Sequence, residues 1–182
     1  MGKIIQTKGK PATNFDQAVK DLARLQCRIG WFETAKYPDG TPVAYVAAIQ
    51  ENGVASQSIP PRPFFAPTQA AKSGAWSELM GKFAKRILNG QMSAYDALDA
   101  LGGQAEADVF DTISKITEPP LSIITLLARK RRLLGGSVTG ATIGEFAKQE
   151  ASGNYDISGV SDKPLNDTGR MMATLTHAVV NK

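Results

Sequence analysis

One cysteine and one histidine stand among the 182 residues, and that scarcity removes several chemistries at once. Cys27 has no partner for an internal disulfide, which fits a reducing compartment. A zinc site built from Cys and His clusters is out of reach for the same reason. His177 would be the sole base for a Ser-His-Asp arrangement, and no Gly-x-Ser-x-Gly elbow accompanies it. A phosphate-cradling loop is missing too. Gly135 and Gly140 have its spacing, but Ala141 and Thr142 follow where Lys and Ser/Thr belong. No apolar run approaches the roughly 18–20 residues that span a bilayer. Met1 to Gln6 also lacks the apolar stretch of a secretory leader. The expectation is a protein with no cofactor, no metal, no membrane span and no enzymatic activity.

Apolar residues make up 42% of the chain and charged residues 21%, a globular balance that suits a single domain over 1–182. The net charge of +4 permits contact with nucleic acid or an acidic partner without demanding it. The only dense cationic run is Arg129-Lys130-Arg131-Arg132. It reads either as cations at a helix C-terminus or as a DNA-channel or acidic-partner contact that is blind to sequence. No aromatic residues interleave it, so a single-strand binding groove is not indicated.

The periodicities sketch an α+β fold, with a small antiparallel or mixed sheet packed against several helices. Residues 1–12 read as an arm. Thr13 with Asp16 resembles a capping box, opening a helix over 13–26 that carries Phe15, Ala18, Val19, Leu22 and Leu25 on one face. A strand is expected over 27–32. With Thr41 as its cap and Pro42 at its first position, a second helix should run to about Asn52 and be stopped by Gly53. Pro67 is expected to open a long helix with Trp76, Leu79, Met80, Phe83, Ile87 and Leu88 as its stripe, ended by Asn89-Gly90. Ser93 with Asp96 starts the next helix, which Gly102-Gly103 should interrupt. Leu121 to Leu134 reads as a short helix ending in the basic run. Residues 135–162, rich in Gly, Ser and Thr, are expected as a long flexible excursion with a short helix over 142–151. A strand over 174–180 closes the sheet.

The segment that organises the chain is Ile59-Pro60-Pro61-Arg62-Pro63-Phe64-Phe65. Its prolines fix φ and push their neighbours into extended conformations, so it is a stiff elbow and neither a helix nor a central strand. The elbow either pins the two phenylalanines into the local core or presents Arg62, Phe64 and Phe65 to a neighbour. A second marked segment lies far downstream, Pro164-Leu165-Asn166-Asp167-Thr168-Gly169-Arg170. It reads as a tight polar turn in which Asp167 or Thr168 caps a following helical turn.

The succession matters more than any one motif. Ile29-Gly30-Trp31-Phe32 leads to Tyr37-Pro38-Asp39-Gly40-Thr41-Pro42, then Glu51-Asn52-Gly53, then the elbow. Pro119-Pro120-Leu121, Thr125 and Ala128-Arg129-Lys130 follow, and last comes the Pro164–Arg170 segment. This order resembles the tail-completion or head–tail joining proteins of tailed bacteriophages, including the minor virion morphogenesis proteins. In that family a helix ending in Glu-Phe-Gly precedes Ile-Pro-x-Arg-Pro-Phe, and Pro-Leu-x-Asp-Thr-Gly comes near the C-terminus. Asn52 stands here in place of the aromatic. The resemblance covers residues 27–134 and 163–180 and implies a structural virion protein of the neck. Such a protein would form a closed ring around the DNA channel, on the order of six or twelve copies. Its partners would be itself, the head connector and the tail tube or tail terminator, with the packaged DNA nearby. A DNA-binding accessory protein using residues 129–132 is the alternative.

Overall fold

The computed structural model describes residues 11–182, with side chains from residue 16 onward. Most of the expected arm, and the side chains of Thr13 and Phe15, lie outside the described residues. The chain order is α1 (Pro11–Arg24), β1 (Leu25–Gly30), α2 (Val43–Asn52), a 3-10 turn (Ala55–Gln57), α3 (Phe65–Leu88), α4 (Ala94–Lys115), α5 (Ile123–Leu133), α6 (Gly140–Ser152), α7 (Arg170–Ala173) and β2 (Thr176–Asn181). The fold is α+β. Among the described residues the sheet has two antiparallel strands, β1 and β2, with Cys27 opposite Val179 and Ile29 opposite His177. The chain divides into two compact units. One comprises residues up to Phe32, Phe65–Phe110 and Leu175–Lys182; the other comprises Glu33–Phe64 and Asp111–Thr174.

In the first unit, Ala18 on α1, Ile87 on α3 and Ala97 on α4 form a buried cluster, extended by Leu22, Met80, Phe83 and Met92. Met80, Phe83 and Ile87 follow the helical repeat read from the sequence. Pro67 does not open α3, which starts two residues earlier at Phe65 and keeps the proline in its first turn, where a missing N–H costs nothing. The Ser93 hydroxyl accepts from the Asp96 N–H at 3.0 Å, the cap expected for α4. Trp31 meets Phe65 edge to face with centroids 5.8 Å apart.

Gly102-Gly103 does not interrupt α4, which runs through both residues. A Cβ at Gly102 would lie 2.5 Å from Cδ2 of His177 and 2.6 Å from Sγ of Cys27. The glycine is therefore a notch that lets both strands lie against the helix. His177 is held there by two acids of α4, with Nδ1 2.6 Å from Glu106 and Nε2 3.4 Å from Asp99. The hydrogen bond to Glu106 chiefly raises the His177 pKa above its ordinary value. Strand β1 begins and ends two residues before the expected 27–32, because Gly30, at φ +147°, breaks the extended run before Trp31.

The second unit holds α2, α5, α6 and α7. Val43 and Ala47 of α2 are buried, as is Phe64. The 135–162 stretch is not an open excursion. Thr139 and Thr142 form a reciprocal capping box at the start of α6, which places Phe146 against Leu127 and Ala128 of α5. Val138 and Ile157 flank that cluster, so apolar residues on both sides of α6 fold the segment back. Among the described residues no helix is long and apolar enough to cross a membrane.

Candidate functional site

The elbow is fixed by partners on both sides. At the end of α2, the Gln50 carbonyl accepts from the Arg62 N–H at 2.7 Å, and the Glu51 carboxylate accepts from the Phe64 N–H at 2.6 Å. Gly53, at φ +69°, makes the close approach possible: a Cβ there would lie 2.7 Å from the nitrogen of Pro61. The Arg62 side chain is only 5% exposed. Its Nε donates to the Pro119 carbonyl at 2.9 Å and a terminal nitrogen donates to the Pro120 carbonyl at 3.1 Å. The other terminal nitrogen reaches the Gln50 side chain at 3.4 Å. Arg62 is thus an internal staple between two proline segments, its guanidinium held by backbone carbonyls. Phe64 is fully buried, which settles it as core.

Arg129 does the same for the downstream segment. It is 7% exposed and donates to the carbonyls of Ser161, Lys163 and Asn166 at 2.8, 2.9 and 3.2 Å. Its Nε lies 3.5 Å from the Asp167 carboxylate. Desolvation lowers the pKa of Arg62 and Arg129 alike, yet a guanidinium stays charged. These bonds hold Pro164 and Leu165 inside, with Leu165 at φ +62°, a strained backbone for a bulky residue. Asp167 does not cap α7. It pairs with Arg132 at 2.5 Å, and Gly169 is the N-cap residue, while the Thr168 hydroxyl accepts from the Arg170 N–H at 3.4 Å. The Arg170 Nε donates to the Lys36 carbonyl.

These segments enclose one groove of about 940 Å³ in the second unit. Ile59, Pro60, Arg62, Arg129, Arg132, Leu165, Asp167, Thr168, Gly169 and Arg170 line it, together with Tyr37, Asp39, Pro120, Leu121 and Thr125. Burial and the neighbouring Asp167 raise the Tyr37 pKa. The Thr41 N–H donates to Asp39 at 3.0 Å and lowers its pKa. Pro61, Pro63, Phe64, Phe65 and Pro164 are not on the groove. Nor is the basic run a single patch. Arg129 is buried, which removes it as a direct DNA contact, and Lys130 pairs with Asp156. Arg131 donates to the Ser137 carbonyl at 2.7 Å. Lys130 and Arg131 border a smaller recess beside Leu134 and Phe146.

Sequence reasoning missed Gln50, the hydrogen bond that Glu51 accepts from the elbow and the close approach of Gly53 to Pro61. The signal for the last two was present, a carboxylate and a glycine two apart at a helix end before a proline run. The groove combines proline-built apolar walls with guanidinium groups, a set of parts suited to binding. Among the described residues no group of three or more His, Cys, Asp or Glu side chains could hold a metal ion. No protein-family model, curated protein or solved structure matches the chain.

Proposed function

We propose that the protein is a structural component of the neck of a tailed bacteriophage, joining the head connector to the tail or completing the tail end. The observation that carries this reading is the convergence of the resemblance-bearing segments. The Tyr37–Thr41 turn, the elbow, Pro120-Leu121 with Thr125, and Leu165 with Asp167–Arg170 all border one groove. Segments far apart in sequence that build one open surface are expected when the surface meets a partner. In this reading copies close into a ring around the DNA channel, and the groove receives a neighbouring virion protein. Buried Arg62 and Arg129 supply rigidity, so that little entropy is lost on docking. The DNA-binding alternative is weakened by the internal partners that all four residues of the basic run have.

Electron microscopy of particles from a phage with a null allele tests the proposal. Filled heads beside separate finished tails are the expected outcome. Normally joined virions would overturn it.

A further inference from the structure

Arg62 brings to the edge of the groove a charge that forms no ion pair among the described residues. Its acceptors are the carbonyls of Pro119 and Pro120 and the amide oxygen of Gln50, all neutral. Among the described residues no carboxylate pairs with it, and desolvation alone shifts its pKa, with no acid acting in opposition. A charge that is hydrogen-bonded but not neutralised, in a poorly hydrated setting, projects a positive potential over the adjoining surface. Arg170 adds to that potential from an exposed position. Its Nε is taken by the Lys36 carbonyl, but its terminal nitrogens have no partner among the described residues. That terminal pair can take a carboxylate in bidentate fashion. Of the two groove acids, Asp167 is already shared by Arg129 and Arg132.

We infer that the groove takes an extended acidic segment of a partner polypeptide, its carboxylate seated on Arg170 and its flanking apolar side chains against Ile59, Pro60 and Leu121. This names the partner chemistry and rests on the reading of the groove as a docking surface. Peptide fits better than nucleic acid. Proline and isoleucine walls match apolar side chains, whereas a phosphate backbone would need a longer row of free cations.

The test uses the full chain, immobilised and panned against a random-peptide display library, with enriched peptides then made fluorescent for anisotropy titration. Enriched peptides are expected to share an acidic residue flanked by apolar ones. Arg170→Glu should weaken them by about tenfold or more. Pro60→Glu, at an exposed position that donates no hydrogen bond, should weaken them as well. No enrichment, enrichment without acidic residues, or binding indifferent to both substitutions overturns the inference. Displacement by a double-stranded DNA oligonucleotide, steeply salt-dependent, would assign the groove to nucleic acid instead. Peptide binding alongside normally joined null-allele virions would defeat the neck reading alone. Absent peptide binding alongside unjoined heads and tails would defeat this inference alone.

Discussion

Removal of the Arg62 guanidinium should destabilise the second unit measurably. Three acceptors depend on it, at 2.9, 3.1 and 3.4 Å, and the side chain is 5% exposed. A hydrogen bond to a charged group contributes about 1.5–3 kcal/mol net. The 3.4 Å contact is weak, and Pro120 is exposed, so water can replace part of what is lost there. One well-made bond plus a partial second gives a loss of about 3 kcal/mol for Arg62→Met, which keeps the apolar stem. Arg62→Ala should cost more, because the stem's packing goes too. With a urea slope of about 1–3 kcal/mol/M, the midpoint should fall by roughly 1–3 M without a change in slope. Trp31 and Trp76 both belong to the first unit, so their fluorescence does not report on this change directly. Urea-dependent hydrogen exchange at the Arg62 and Phe64 amides, bonded to Gln50 and Glu51, does. Unchanged exchange and an unchanged midpoint in Arg62→Met, with head–tail joining lost, would refute the staple and return Arg62 to an interface.

Gly102→Ala should destabilise the first unit by about 1–3 kcal/mol in thermal unfolding, because its Cβ would collide with His177 and Cys27. Gly103→Ala, whose Cβ would sit 3.6 Å from Cε1 of His177, should be neutral or stabilising by up to about 1 kcal/mol from helix propensity. Equal effects at the two positions would rule out the notch. His177, with its folded pKa raised above 6.5, contributes stability that is complete below the unfolded pKa and is lost as pH rises through the folded one. The tryptophan-detected melting temperature should therefore fall on that alkaline side, and Glu106→Gln should flatten the fall. A wild-type profile that is flat there would count against the clamp. Phe146→Ala should cost about 3–5 kcal/mol locally and strip exchange protection from α6 while leaving the first unit's melting unchanged.

What the sequence made legible was local. Gly53 and Gly90 end their helices, and Ser93 with Asp96 starts one, because a cap depends on residues three or four apart. What it hid depends on distant partners. Two of the three acceptors of Arg62 lie 57 and 58 residues away, so nothing in the local sequence shows that its guanidinium staples two proline segments together. Glycine content made 135–162 read as flexible, although Phe146 had a partner cluster in α5 that composition cannot reveal. The basic run shows the same limit most clearly. Four adjacent cations look like one patch when read along the chain, but successive residues of a helix point about 100° apart. In α5 that rotation sends Arg129 inward to three carbonyls, Lys130 to Asp156, Arg131 to Ser137 and Arg132 to Asp167. Charge density along a helix is therefore a poor guide to charge density on a surface. The groove draws instead on four arginines from three separate stretches, the elbow, α5 and the start of α7, and its positive character exists only once those stretches have met.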